Sequence, residues 1–302
     1  MRHFTGNGCF WLVAVLVASV LSVTDSAAEG FYVGLEAGFS KSGDMDVSQS
    51  LIDHPTQCDS FLYPSGATPP MDAECTTEKI TTIANVFAPG AGFAGGATLG
   101  YAFGNGLRFE AEYLNRRQGS QRRLARLGPG GGETLEQKES EWDENDPPSE
   151  RVYDLSAHHF FLNAYYDLRN GSPFTPYIGG GIGVGSTEMR YSARFLRRSD
   201  LGPEPWQMAA SGTVSDIDTK LGKTRFGFQV VGGVDYALGD DLSVGAKVRW
   251  TRLSGFDRND MSWTRVRGHK PIRADGVTPL TTDFEVSDAD IWTFTVGLKY
   301  YL

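Results

Sequence analysis

FGFQVVGGVDYALGDDLSVGAKVRW, residues 226–250, decides the fold, because it displays both the repeat of the backbone and the surroundings on each side of it. Every second residue belongs to a register without a charge: Phe226, Phe228, Val230, Gly232, Val234, Tyr236 and Leu238, then, past a Gly239-Asp240-Asp241 turn, Leu242, Val244, Ala246, Val248 and Trp250. The intervening register is small or charged, with Arg225, Gly227, Gln229, Val231, Gly233 and Asp235 in the first arm and Ser243, Gly245, Lys247 and Arg249 in the second. Strict alternation over two runs joined by a tight polar turn predicts a β-hairpin. Each arm has about ten alternating residues, which suits a tilted strand crossing a bilayer, whereas soluble strands average about five or six. Tyr236 and Trp250 fall near opposite strand ends, where an aromatic girdle would lie. A half-buried sheet in water gives the same alternation, so the rest of the chain must choose between the two solvents.

Working outward, the pattern recurs. Gly30 to Ser40 sets Phe31, Val33, Leu35, Ala37 and Phe39 against Tyr32, Gly34, Glu36 and Gly38. Ala91 to Phe103 and Leu107 to Tyr113 form a second hairpin about Gly104-Asn105-Gly106, and Asn-Gly between alternating runs is a strong local turn signal. Tyr153 to Leu168 and Pro176 to Gly185 follow around a short turn, and Ile291 to Leu302 is the last strand. The expectation is an all-β, eight-stranded antiparallel up-and-down transmembrane β-barrel, with four long extracellular loops at residues 41–89, 115–152, 188–221 and 254–288. The stretch 115–152 begins basic and turns acidic, a composition that predicts a solvated, mobile loop without a core.

Low overall hydropathy excludes a helical membrane protein. One segment stands apart. Arg2 and His3 precede the apolar run Cys9 to Val23, and Ser26-Ala27-Ala28 supplies small residues for cleavage. Residues 1–28 therefore read as a cleaved secretory signal, too short in its apolar run for a retained anchor, with the barrel domain spanning 29–302. Cys9 leaves with the signal, so Cys58 and Cys75 are the cysteines of the mature chain, and in an oxidising compartment they are expected to pair within one loop. No CxxC spacing suggests redox chemistry.

The apolar register of all eight strands carries no charge, whereas the opposite register holds Glu36, Glu110, Glu112, Asp167 and Asp235 against Arg108, Arg225, Lys247, Arg249 and Lys299. An eight-stranded barrel has room inside for side chains only, and charges buried there must be paired. The prediction is a lumen closed by ion pairs, with Glu36, Glu110 and Glu112 meeting Lys247 and Arg249 at mid-height. The alternative is that these charges line a water-filled pore. Gly179, Gly181, Gly183 and Gly185 on one face make room for larger neighbours.

Other candidates carry less. Gly90 to Gly95 has the spacing of a dinucleotide fingerprint, but that motif must follow a strand and start a helix, and here it starts a strand. Ser156, His158 and His159 sit near the loop-side end of a strand, a place where some small outer-membrane barrels carry lipid hydrolase chemistry, but no acid can be assigned to orient an imidazole. The acidic run Glu133 to Glu150 lacks the fixed spacing of a calcium loop and reads as solvated charge. Arg116, Arg117, Arg122, Arg123 and Arg126 are placed to contact lipopolysaccharide phosphates above the outer leaflet. No cofactor, metal or nucleic acid is expected.

The chain resembles the OmpA-type transmembrane barrels and the opacity-protein or surface-antigen families of Gram-negative bacteria, through GFYVGLEAGFS, NAYYDL, TPYIGGGIGVG, GVDYALGDDLSVG and the alternating carboxy-terminus. The resemblance covers nearly all of the mature chain and implies a non-enzymatic, surface-exposed structural or adhesive protein of the outer membrane, with a small ion-conducting porin as the alternative. It also implies outer-membrane lipid as surroundings, an assembly machinery that reads the last strand, and a host or cell-surface ligand for the loops. Leu302 stands where such barrels usually end in an aromatic, and no peptidoglycan-binding domain follows the barrel.

Overall fold

The computed structural model describes residues 29–53, 58–59, 79–119, 121–124, 139–272 and 279–302. Eight antiparallel strands form the wall: β1 (Gly30–Ser42), β4 (Ala91–Ala102), β5 (Leu107–Gln118), β7 (Ser149–Asp167), β8 (Phe174–Leu196), β9 (Val214–Ala237), β10 (Leu242–Leu253) and β13 (Ala289–Tyr301). Their order is β5-β4-β1-β13-β10-β9-β8-β7, and β7 pairs back with β5, so the sheet closes and has no edge. A short β6 (Gln121–Leu124) extends the pairing of β7 beyond the end of β5. No described helix is long and apolar enough to cross a membrane. The crossing is made by strands, whose closed ladder satisfies every backbone group in hydrocarbon.

The pleat separates the two registers as the alternation requires. Leu35 on β1 is 70% exposed and Phe294 on β13 is 66% exposed, while Tyr32 and Arg249, on the other register, are fully buried. A band of apolar side chains thus surrounds a polar interior, the reverse of a protein core in water. The predicted glycine stripe of β8 makes the interior fit: a Cβ at Gly179 would strike the Tyr165 ring, and one at Gly181 would strike Asn163.

The regions expected as loops hold a second layer of structure, and this corrects the sequence reading. β2 (Met45–Asp53), β3 (Lys79–Phe87), β11 (Phe256–Ser262) and β12 (Thr281–Val286) form a four-stranded sheet in the order β11-β12-β2-β3. β8 runs on to Leu196 and pairs with β9 without a register break from Phe174↔Tyr236 to Leu196↔Val214. Along these extensions the polarity inverts: Met189, Tyr191, Ala193 and Phe195 remain on the inward register of β8 and are buried. Their neighbours Arg190 and Arg194 point out and pair with acids.

The inward residues of β8 and β9 meet the second sheet in one apolar cluster that includes Met45, Val47, Phe87, Tyr191, Phe195, Ile217, Leu221, Trp263 and Phe284. Tyr191 and Phe284 meet edge to face at 4.9 Å, and Phe195 lies 5.8 Å from Trp263. β7 contributes Val152, from the end of the stretch expected to bury nothing, and Leu155. It does so through a register shift between Tyr153 and Ser156, with Asp154 at φ 53°, which returns the apolar side chains to the inner face after one extra residue.

Candidate functional site

The interior of the barrel is a layered ion-pair network. At mid-height β5 presents Glu110 and Glu112, β1 presents Glu36, and β10 presents Lys247 and Arg249. Lys247 Nζ lies 3.0 Å from Glu110, 3.4 Å from Glu36 and 3.6 Å from Glu112. Arg249 donates through Nε (3.1 Å) and Nη2 (2.9 Å) to Glu112 and through Nη1 to Thr295 Oγ1 (2.9 Å), and it also pairs with Glu36. Tyr32 and Tyr165 donate to Glu110 at 2.9 and 3.1 Å, and Gln229 bridges Glu112 (3.2 Å) and Asn163 (2.7 Å).

Toward the short turns a second layer follows. Arg108 lies 3.2 Å from Asp167 and 3.1 Å from Asp235, which also holds Lys299. The Arg108 guanidinium stands 4.6 Å from the Tyr177 ring centroid and 4.9 Å from that of Tyr165. Between the layers a cavity of about 20 Å³, lined by Glu36, Asp235, Lys247 and Lys299 among others, has room for about one water. Charges so deeply buried stay in place because the mid-height carboxylates Glu36, Glu110 and Glu112 each meet more than one donor; removing one member leaves its partners uncompensated.

Nine of the ten residues expected in this network come together in it. Arg225 does not, because its strand position lies above the mid-height layer: it donates to the Ser254 carbonyl (3.2 Å) and to Thr187 Oγ1 (3.1 Å) and lies 5.2 Å over the Phe256 ring.

The five arginines expected at the lipopolysaccharide level separate by register. Arg116, with even-numbered neighbours Glu110 and Glu112, points inward, is buried, and donates to Ser40 and Ser42; it does not face lipid phosphates. Arg117 is exposed on the outer face, and Arg122 is exposed beside Asp146 at 3.8 Å. Arg123 lies in β6 opposite Glu150, and Arg126 lies outside the described residues, as do Cys75 and the segment 1–28. Cys58 is buried.

The histidine pair diverges across the wall. His158 faces outward, with Nδ1 at 2.8 Å from the Tyr113 hydroxyl and Asn115 nearby at 3.3 Å, whereas His159 points into the barrel and is buried. Among the described residues their partners include neither Ser156 nor a carboxylate, so no nucleophile, base and orienter assemble there. Part of the acidic run is organised instead of free: Glu141 lies near Arg197 (3.7 Å), Glu144 pairs with Arg198 (3.3 Å), and Asp146 pairs with Arg194 (3.0 Å). Glu150 is buried and accepts from Asn85 (3.1 Å) and Tyr191. Among the described residues no group of His, Cys, Asp and Glu is arranged to hold a metal.

Sequence reasoning missed the loop-side layer. Its signal was present as alternation of opposite phase, with Met189, Tyr191, Ala193 and Phe195 against Arg190, Ser192 and Arg194. Burial beside the Glu150 carboxylate pushes the Tyr191 hydroxyl well above the ordinary tyrosine range. For His269, burial opposes the charge, but the hydrogen bond to Asp59 Oδ2 (2.8 Å) and one with the Lys270 carbonyl outweigh it and raise the pKa. A shallow groove on the outside of this layer is lined by Arg122, Arg151 and Arg194 together with Asp216, Asp218 and Thr264.

A family model described as the outer membrane protein beta-barrel domain matches residues 10–301. An uncharacterized protein of Brucella abortus is 28% identical over 143 residues, which is 46% of this chain and 44% of that one, and one of Brucella melitensis matches to the same extent. The matched part thus spans less than half the length of these curated relatives. Among solved structures, Neisserial surface protein A is 16% identical with a TM-score of 0.40, covering 92% of this chain and 100% of that one. The outer membrane protein OprG of Pseudomonas aeruginosa is 15% identical with a TM-score of 0.39, covering 92% and 99%.

Proposed function

Since the chain belongs to the outer membrane protein beta-barrel domain family and crosses that membrane with strands, we propose that it is a structural surface protein: a closed scaffold that presents a folded recognition layer outside the cell. One observation carries this reading. The path through the barrel is filled twice, by the Glu110-Lys247-Arg249 network at mid-height and by the apolar cluster around Tyr191 and Phe284 on the loop side. An interior so filled gives an ion no continuous water, whereas a rigid scaffold is what loop-borne recognition requires. Planar-bilayer recording tests it. Pure protein should give no stable unitary currents; reproducible single-channel steps would replace the scaffold with a small porin.

The recognition surface is formed by the second sheet and the extensions of β7, β8 and β9, and it binds a host or cell-surface ligand, as an adhesin or surface antigen does. Arg117 and Arg122 contact lipopolysaccharide phosphates, a role that Arg116 leaves. Replacing both with Ser should lower co-purifying lipopolysaccharide, and an unchanged yield would remove the contact. The segment 1–28 directs export, Cys58 pairs with Cys75, and β13 is the strand read by the outer-membrane assembly machinery. Mass analysis of the mature protein, with and without reductant, checks the first two together.

A further inference from the structure

Two arginines at the loop-side end of the lumen lie outside the ion-pair network. Arg116 is 3% exposed, and its described partners are the neutral hydroxyls of Ser40 (Nε, 2.6 Å) and Ser42 (Nη2, 3.1 Å). Arg225 is 5% exposed, its terminal nitrogens bond to Thr187 and the Ser254 carbonyl, and its Nε is buried without a partner. Neither forms an ion pair with a carboxylate among the described residues. Asp288, on the same side, is committed to Arg252 (3.1 Å) and to the Gly255 amide (2.7 Å).

Both arginines line one cavity of about 20 Å³, where Ser42 and Thr187 add hydroxyls and Met45, Leu155, Met189 and Phe256 add apolar wall. The pairing of charges in the barrel interior points the same way. The inward carboxylates Glu36, Glu110, Glu112, Asp167 and Asp235 are held by Arg108, Lys247, Arg249 and Lys299, and the buried Glu150 accepts from Asn85 and Tyr191. Each of these carboxylates is engaged elsewhere, and none of them forms an ion pair with Arg116 or Arg225. Buried charge without a counter-charge is costly, and guanidinium donors without acceptors add to that cost.

We propose that this cavity binds one small monovalent inorganic anion of about chloride size, held by the Arg116 and Arg225 guanidiniums and the Ser42 and Thr187 hydroxyls. The ion ties β1, β5, β8 and β9 together where the lumen meets the loop-side layer. The small size of the ion follows from the cavity, whose interior space of about 20 Å³ suits a single small species. A ligand bound only by the folded state stabilises it by mass action, and that gives the readout.

The full chain, purified in detergent micelles, is unfolded by heat in sodium chloride and in sodium gluconate at matched ionic strength. Chloride should raise the unfolding midpoint in a saturable way and gluconate should not. In Arg116→Gln the chloride-dependent rise should vanish. Equal midpoints of the parent protein in the two salts, or a full chloride response in Arg116→Gln, would overturn the proposal. If that variant does not fold, bromide-soaked crystals of the parent protein decide: an anomalous peak between Arg116 and Arg225 supports the site, and water alone there sinks it.

Discussion

The membrane half and the loop-side half of this molecule are built from the same strands with opposite polarity. On β8, Ile178 and Ile182 face lipid while Tyr177 and the glycines face a polar interior; farther along, Arg190 and Arg194 face water while Tyr191 and Phe195 enter an apolar one. The backbone register does not change between them. What changes is the solvent, and the side chains follow it: hydrocarbon outside requires polar groups to satisfy one another inside, and water outside permits an ordinary hydrophobic core. The interior of a barrel is thus polar or apolar according to what surrounds it, and one ribbon can be both.

The largest effect should come from breaking the polar half. Arg249→Met leaves Glu36 and Glu112 short of their strongest donor, and loss of a buried pair of this kind costs about 3 to 5 kcal/mol. Urea unfolding in micelles measures it, and a change below about 1 kcal/mol would show that water reaches the layer and compensates the loss. The comparison is sharpened on one face of one strand. Ile178→Arg near the middle of the lipid-facing band should cost about 2 to 4 kcal/mol, whereas Glu188→Arg, ten residues on and exposed, should stay within about 0.5 kcal/mol. Equal costs at the two positions would place the boundary between lipid and water elsewhere.

A smaller effect belongs to the loop-side half. Tyr191→Phe removes the hydroxyl that accepts from Gln49 at 2.8 Å and donates to Glu150, which should cost about 1 to 3 kcal/mol. Hydrogen exchange should show that loss on β2, β3 and β12 and leave the wall strands protected; uniform loss would mean that the halves unfold as one unit. The smallest is a pH effect at His269, whose pKa is raised by the Asp59 contact. A raised folded pKa contributes stability that is complete below the unfolded value of about 6.5 and is lost as pH rises through the folded value. Protease resistance of the loop-side layer should therefore fall modestly as pH rises above about 6.5, and His269→Gln should flatten the profile.

How far the chain could be read follows from the same inversion. Strict alternation at Phe226 to Trp250 exposed the barrel, its register and the inward charges, because a two-residue period survives whatever the neighbours are. The pairing of Glu110 with Lys247 was within reach because so few inward positions carry charge. Arg116 was misread because the expected strand stopped at Tyr113, whereas β5 continues to Gln118 and keeps position 116 on the inner face. The stretch Met189 to Phe195 was misread because a charged outer register resembles a loop when the test is for a lipid-facing one. The second sheet was hidden for another reason: β2 pairs with β12 across more than two hundred residues, and no local pattern records such a partner.

The seam between β1 and β13 has a consequence for how the molecule forms. Tyr32 meets Tyr301 and Phe39 meets Phe294 across it, so the contacts that complete the cylinder join segments that are among the most distant in sequence. Hairpins such as β9 with β10 can form from local encounters, but this closure must overcome the entropy of a very long loop. Until that pairing forms, β1 and β13 each offer unpaired backbone to any other chain within reach.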